Sequence, residues 1–280
     1  MTGNAMNIEI IPWPPDPAKA HLRPVLFVHG AWHGAWCWKK YFLKYFEERG
    51  FAAYALSLRG HGESDTPERF NRTRLSAYVD DLHGVAEKIA SHHGRPPVLV
   101  GHSMGGAVVQ KYLETHPKIP AAVLMASIPP RGVLRATLRI FRKYPRLFAR
   151  INWERNLYLL VETPERAKEF LFSEDMPDAE VLEYHRQLGA ESYFSYLDTL
   201  RPFYLRPKRV KTRRVLVLGA KNDAIFEPHE IKATASKYKT TAVIFDGMAH
   251  DMMLEAEWRK VADRIIAWLQ QENLQATNSP

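Results

Sequence analysis

The chain has 280 residues, with ordinary apolar and charged fractions of 46% and 25% and a formal net charge of +8, enough for one large core and an insertion. No stretch reaches the ~20 uncharged apolar residues of a membrane span, and the N-terminus MTGNAMNIEIIPWPPDP lacks a basic region followed by an apolar run, so no secretory leader is expected. Its single cysteine, Cys37, excludes an internal disulfide, and a cytoplasmic location is expected.

In chain order, residues 25–28 (VLFV) read as a buried strand running into the loop His29-Gly30-Ala31-Trp32-His33-Gly34. Residues 36–49 have amphipathic helical spacing that Gly50 stops. A second strand over 52–58 leads into Arg59-Gly60-His61-Gly62-Glu63-Ser64, and a helix is predicted over 73–91. The third strand, 98–100, enters Gly101-His102-Ser103-Met104-Gly105-Gly106 and then a helix to residue 114. Residues 122–126 make a fourth strand, and 214–218 and 242–245 supply two more, separated by a helix beginning near Pro228. A last helix over 255–270 precedes a polar tail that is expected to be mobile.

Short, continuously apolar strands alternating with helices predict an α/β fold, with a mainly parallel sheet of about six strands covered on both faces. Residues 128–211 carry no strand pattern, only Arg, Leu, Phe and Tyr at helical spacing. The organisation expected is therefore a core of 1–127 and 212–280 with a helical cap inserted at 128–211. Ligands of open α/β sheets bind at the carboxyl ends of the strands, so a cap there would roof the site.

The cap also holds most of the excess positive charge, with 18 Lys or Arg against 11 Asp or Glu between Arg131 and Arg214. No zinc or RNA-binding pattern accompanies it, so a nucleic-acid partner is not expected. Arg131, Arg135, Arg139, Arg142, Lys143, Arg146 and Arg150 recur at three- and four-residue intervals around Leu134, Leu138, Phe141, Leu147 and Phe148, a basic amphipathic helix interrupted near Pro145. Such a helix can meet an anionic membrane, or attract an acidic or phosphorylated substrate by charge steering. The plainer reading is preferred, with its apolar face on the core and its arginines in water.

Gly101-His102-Ser103-Met104-Gly105 fits G-x-S-x-G between a strand and a helix, the context that a nucleophile elbow requires. A serine hydroxyl needs a neighbouring base. Among 12 histidines, His250 stands in the loop after the last strand, where this topology puts the base; His229 lies ahead of that strand. Asp223, in the loop after the preceding strand, is the carboxylate expected to fix the imidazole tautomer, with Asp246 and Asp251 as lesser candidates. The tetrahedral oxyanion needs backbone donors. The amides of Met104 and Ala31 are expected to supply them, with His29 structural.

Together the His29-Gly30 loop, LRGHGES (58–64), GHSMGG (101–106), GAKND (219–223) and GMAHDMML (247–254) resemble the α/β-hydrolase superfamily over most of the chain outside 131–211. HGAWHGAWCW (29–38) is similar to the plant methylesterase and hydroxynitrile lyase branch, and LRGHGES to bacterial esterases and lysophospholipase-type hydrolases. The resemblance implies the α/β-hydrolase fold and a serine hydrolase without cofactor or metal, acting on a small-molecule ester or related acyl bond. Ser103 departs from the elbow aspartate of dehalogenases and epoxide hydrolases, and Asp251 from the lysine beside the histidine of hydroxynitrile lyases.

The expectation is a carboxylic-ester hydrolase using Ser103, His250 and Asp223. Lactone, thioester and lysolipase-type hydrolysis share this machinery, and a receptor-like binding protein of the same fold is the rival from another class. Sequence leaves the oligomeric state open. Trp32, Trp36, Trp38, Tyr193, Phe194 and Tyr196 are aromatic candidates for an acyl pocket, although plain core is the commoner role for such residues. Cys37 reads as a small core residue.

Overall fold

The structure, a computed structural model, describes residues 6–14, 23–201 and 203–272. The C-terminal tail read above lies outside the described residues from 273 onward, as do 1–5 and 15–22 at the N-terminal end.

Seven strands form one sheet: β1 (Ile10–Trp13), β2 (Val25–Val28), β3 (Ala53–Leu56), β4 (Val98–His102), β5 (Ala122–Met125), β6 (Val215–Ala220) and β7 (Ala242–Phe245), in spatial order β1-β3-β2-β4-β5-β6-β7. All neighbours are parallel except β1, which pairs antiparallel with β3 from Ile10 opposite Leu56 to Trp13 opposite Ala53. Every residue of β2 to β6 is buried. Since successive side chains point to opposite faces, both faces must be covered. The strand absent from the sequence reading is β1. Pro12 cannot donate to a ladder, and the edge is where a sheet tolerates it.

Between β2 and β3 run two short helices, α1 (Trp36–Lys39) and α2 (Phe42–Glu47), rather than the single one predicted. The break falls at Tyr41, whose ring stacks on Trp258 at 4.9 Å. The helix α3 (Leu75–His93) ends on Gly94, in the left-handed conformation usual for a terminating glycine. It packs against α4 (Ser103–Leu113), which starts where β4 stops.

Between β5 and β6 the described residues form five α-helices, α5 (Leu134–Lys143), α6 (Pro145–Glu154), α7 (Pro164–Leu171), α8 (Asp178–His185) and α9 (Tyr193–Leu200). Pro145 occupies the first position of α6, which explains why the basic helix breaks at Tyr144. The plain reading of this helix holds only in part. Ala136 is buried, but Leu134, Leu138 and Phe141 stand exposed, because the apolar arc of α5 is wider than the surface it packs on. The chain closes with α10 (Pro228–Lys237), which begins where it was predicted to, and α11 (Trp258–Gln271), which is displaced from the predicted bounds by a few residues. Among the described residues no helix is long and apolar enough to cross a membrane.

Candidate active site

The five site residues selected from the sequence lie just beyond the carboxyl ends of strands: Ala31 after β2, Ser103 and Met104 after β4, Asp223 after β6 and His250 after β7. Parallel strands in register end together, so loops distant in sequence converge on one edge of the sheet. Ser103 sits directly on the β4–α4 junction with φ at 50°, a left-handed conformation that a side chain adopts only under constraint. The turn closes because Gly101 and Gly105 have no side chain. A Cβ on Gly101 would stand 2.6 Å from the Gly105 carbonyl oxygen, and one on Gly105 2.3 Å from that of His29.

The hydroxyl of Ser103 lies 2.9 Å from His250 Nε2, and His250 Nδ1 lies 2.8 Å from Asp223 Oδ2. The second oxygen of Asp223 accepts the backbone N–H groups of Ile225 (2.8 Å) and Phe226 (2.9 Å), which fix the carboxylate behind the ring. With Nδ1–H donating to Asp223, Nε2 carries a lone pair toward Ser103. Burial pushes the His250 pKa down. The carboxylates of Asp223 and Asp251 outweigh that effect, leaving it above its ordinary value. The three side chains thus form one hydrogen-bonded line, a geometry in which a hydroxyl can pass its proton to an imidazole.

Ala31 and Met104 border, with Ser103, a cavity of about 120 Å³. Met104 is in the first turn of α4, where amides have no acceptor inside the helix. The Ala31 amide makes no hydrogen bond among the described residues. His29 has the structural role expected of it, Nδ1 donating to the Gly30 carbonyl (2.7 Å) and Nε2 accepting the Leu58 amide (3.0 Å). Burial holds its pKa well below the ordinary range.

His229 and Asp246 lie apart from this centre, paired with Glu227 and Lys221 on the surface. Of the aromatic candidates, Trp32 and Tyr196 line the cavity; Trp38 is instead core, packed on Phe27 and Phe42. Cys37 is wholly buried, and burial pushes its thiol pKa well up.

Three further groups stand at the site, of which the sequence reading weighed only Asp251, as a lesser candidate for the acid. The carboxylate of Asp251 is fully buried 2.8 Å from His33 Nε2, while His33 Nδ1 lies 2.7 Å from the Ala31 carbonyl oxygen. The His33 ring thus bridges the Asp251 carboxylate and the Ala31 carbonyl. Burial pushes the Asp251 pKa up, but His33 opposite it, with His102 and His250 nearby, holds it below the usual value. His102, inside the elbow, donates from Nε2 to the His250 carbonyl (3.0 Å); burial and the neighbouring His250 lower its pKa to about 3, so it stays neutral. The loops of Ala31, Ser103 and His250 are thus bolted together behind the Ser103 hydroxyl and the His250 ring.

Glu191 is the third group, a buried carboxylate on the cavity wall. It accepts from Tyr78 Oη (2.8 Å), Ser195 Oγ (3.0 Å), its neighbour's amide at Ser192 (2.7 Å) and His61 Nε2 (3.1 Å). Nearby, Trp32 adopts φ at 67°, and the Gly189 amide donates to its carbonyl at 2.8 Å. The helical segment thereby holds a strained residue of the Ala31 loop. Asp251 was weighed in the sequence only as a substitute acid, and His33, His61 and His102 showed there only as the histidines of HGAWHG, LRGHGES and GHSMGG; nothing marked Glu191.

A parallel sheet whose carboxyl edge gathers a buried serine, histidine and aspartate defines the class of fold and site. A model described as "Alpha/beta hydrolase family" matches residues 25–264, and the chain belongs to that family. Methylesterase 10 of Arabidopsis thaliana is 34% identical over 40% of this chain and 40% of its own length. A chloroplastic putative methylesterase 15 of the same plant is 31% identical over 45% of this chain and 28% of its own. The matched stretches thus cover well under two thirds of these relatives. Among solved structures, a thermophilic esterase from Thermogutta terrifontis superposes with a TM-score of 0.72, covering 97% of this chain and 96% of that one at 21% identity, a likeness of fold.

Proposed function

We propose that the protein is a carboxylic-ester hydrolase working through Ser103, His250 and Asp223. The single observation that carries this reading is the continuous buried line from Asp223 Oδ2 through the His250 ring to Ser103 Oγ, with steps of 2.8 and 2.9 Å. Both distances fall within the reach that proton transfer needs.

Ser103 Oγ attacks the ester carbonyl while His250 Nε2 takes its proton, and Asp223 stabilises the imidazolium formed. The amides of Ala31 and Met104 bind the carbonyl oxygen as it becomes an oxyanion. His250 then returns its proton to the departing alcohol, leaving an acyl-serine. A water that loses a proton to His250 attacks this ester, and the collapse frees the acid and restores the Ser103 hydroxyl. Residues 128–211 serve as the cap. Val133, Ala136, Ile140 and Phe148 give the cavity an apolar wall suited to an apolar acyl or alcohol group. The methylesterase names of the two relatives accord with ester cleavage.

The test is labelling by a fluorophosphonate together with turnover on p-nitrophenyl esters of graded acyl length. The expected outcome is one label, on Ser103, and saturable turnover. A labelled protein without turnover would point to a binding protein, and an unlabelled Ser103 would remove the mechanism.

A further inference from the structure

The large apolar side chains that stand exposed among the described residues are Leu134, Leu138, Phe141, Trp153, Leu182 and Phe203, and all six lie between β5 and β6. Three of them, Leu134 (53% exposed), Leu138 (40%) and Phe141 (46%), are spaced four and three residues apart on α5 and form one stripe. The other apolar flank of α5, Ala136, Thr137 and Ile140, lines the cavity that reaches Ser103. The helix is therefore apolar on two flanks, and the fold covers one. Phe203, 80% exposed, borders the same surface groove as Leu134 and lengthens the stripe, while Trp153, 90% exposed, projects from α6. Contiguous apolar surface of this kind marks an interaction site.

Charge indicates the partner. Residues 131–153 contain seven Arg or Lys and no Asp or Glu. Arg139, Lys143 and Arg150 are neutralised by Glu230, Glu169 and Glu154. Arg131, Arg142 and Arg146 meet no carboxylate among the described residues, and Arg135 reaches only His229, at 3.1 Å. A second copy placed on this face by two-fold symmetry would set these cations against their own counterparts. An anionic surface with an apolar interior satisfies both the stripe and its flanking charge.

We propose that the α5–α6 face docks on an anionic phospholipid membrane. Leu134, Leu138 and Phe141 enter the acyl region, and Arg131, Arg135, Arg142 and Arg146 meet the headgroups. Docking sets the apolar cavity beside the lipid, and it holds whether or not Ser103 turns over esters. Binding is accordingly measured on Ser103→Ala, by co-sedimentation with vesicles of phosphatidylcholine alone or mixed with phosphatidylglycerol, at low and high salt.

The expected result is recovery with the mixed vesicles only, reversed by salt. Adding Leu134→Ser, Leu138→Ser and Phe141→Ser should lower partitioning at least ~10-fold, since apolar area drives insertion. Arg135→Glu with Arg142→Glu should remove the preference for anionic lipid. Unchanged circular dichroism and thermal unfolding check that both variants are folded. Absence of binding to mixed vesicles at low salt overturns the proposal, as does equal binding by the triple-serine variant. A dimer in sedimentation velocity that this variant abolishes, with vesicles ignored, would give the face to a second copy instead.

Discussion

The two walls of the cavity are built on different terms. On the sheet side Ser103 lines the cavity and, behind it, His250, Asp223, His33, Asp251 and His102 are buried polar groups, each making at least one hydrogen bond within the fold. On the helical side, Val133, Ala136, Ile140 and Phe148 offer only shape and apolar surface, with Glu191 as the charged exception. Groups whose positions matter to tenths of an ångström stand on loops fixed by a parallel sheet and by each other. Groups that only need to exclude water stand on helices whose far side is open to solvent. On the mechanism proposed above, reaction chemistry and substrate fit are thereby separated, and the second can change without disturbing the first.

That separation makes graded demands. Ser103→Ala should lower kcat/KM for a p-nitrophenyl ester by at least ~10³-fold with unchanged circular dichroism. Residual turnover near that of the parent would mean that the sheet side is not where the chemistry happens.

Next comes the bolt behind the site. His33→Ala frees the Ala31 carbonyl and leaves Asp251 buried without its partner, and a misplaced oxyanion donor should cost up to ~10²-fold in kcat with little change in KM. Asp251→Asn keeps an acceptor for His33 but removes a negative charge that raises the His250 pKa. The base works unprotonated, so kcat/KM falls as pH drops through the raised His250 value. The acid limb should therefore move to lower pH in this variant, and an unmoved limb would disconnect Asp251 from the imidazole.

Glu191→Gln tests the seam between the walls. It replaces a carboxylate that accepts from four donors, and a loss of about 1–3 kcal/mol in urea unfolding is expected. The smallest effect belongs to the outside: Leu138→Ser should leave turnover of a soluble ester within a factor of about two and stability within ±0.5 kcal/mol.

How much of this was readable in the sequence follows from the kind of pattern involved. The elbow, acid and base loops each follow a short apolar strand, and a parallel sheet turns that local signal into a common location. Strand β1 was missed because Pro12 and its neighbours lack both alternation and a continuous apolar run, and its place depends on pairing with β3 far along the chain. The His33–Asp251 pair joins residues 218 positions apart, a proximity that no spacing rule encodes. The spacing of α5 gave its apolar arc correctly. It could not divide that arc between cavity and solvent, because periodicity reports direction around a helix and is silent on what stands there.

The sole thiol, Cys37, is sealed in the core a few residues past His33, at the start of α1. A maleimide or disulfide reagent can therefore reach it only when this corner of the molecule unlatches. Its labelling rate reports how often this corner of the molecule opens, readable by mass spectrometry on the unaltered chain. Slower labelling with an inhibitor bound would measure how far occupancy of the site tightens that latch.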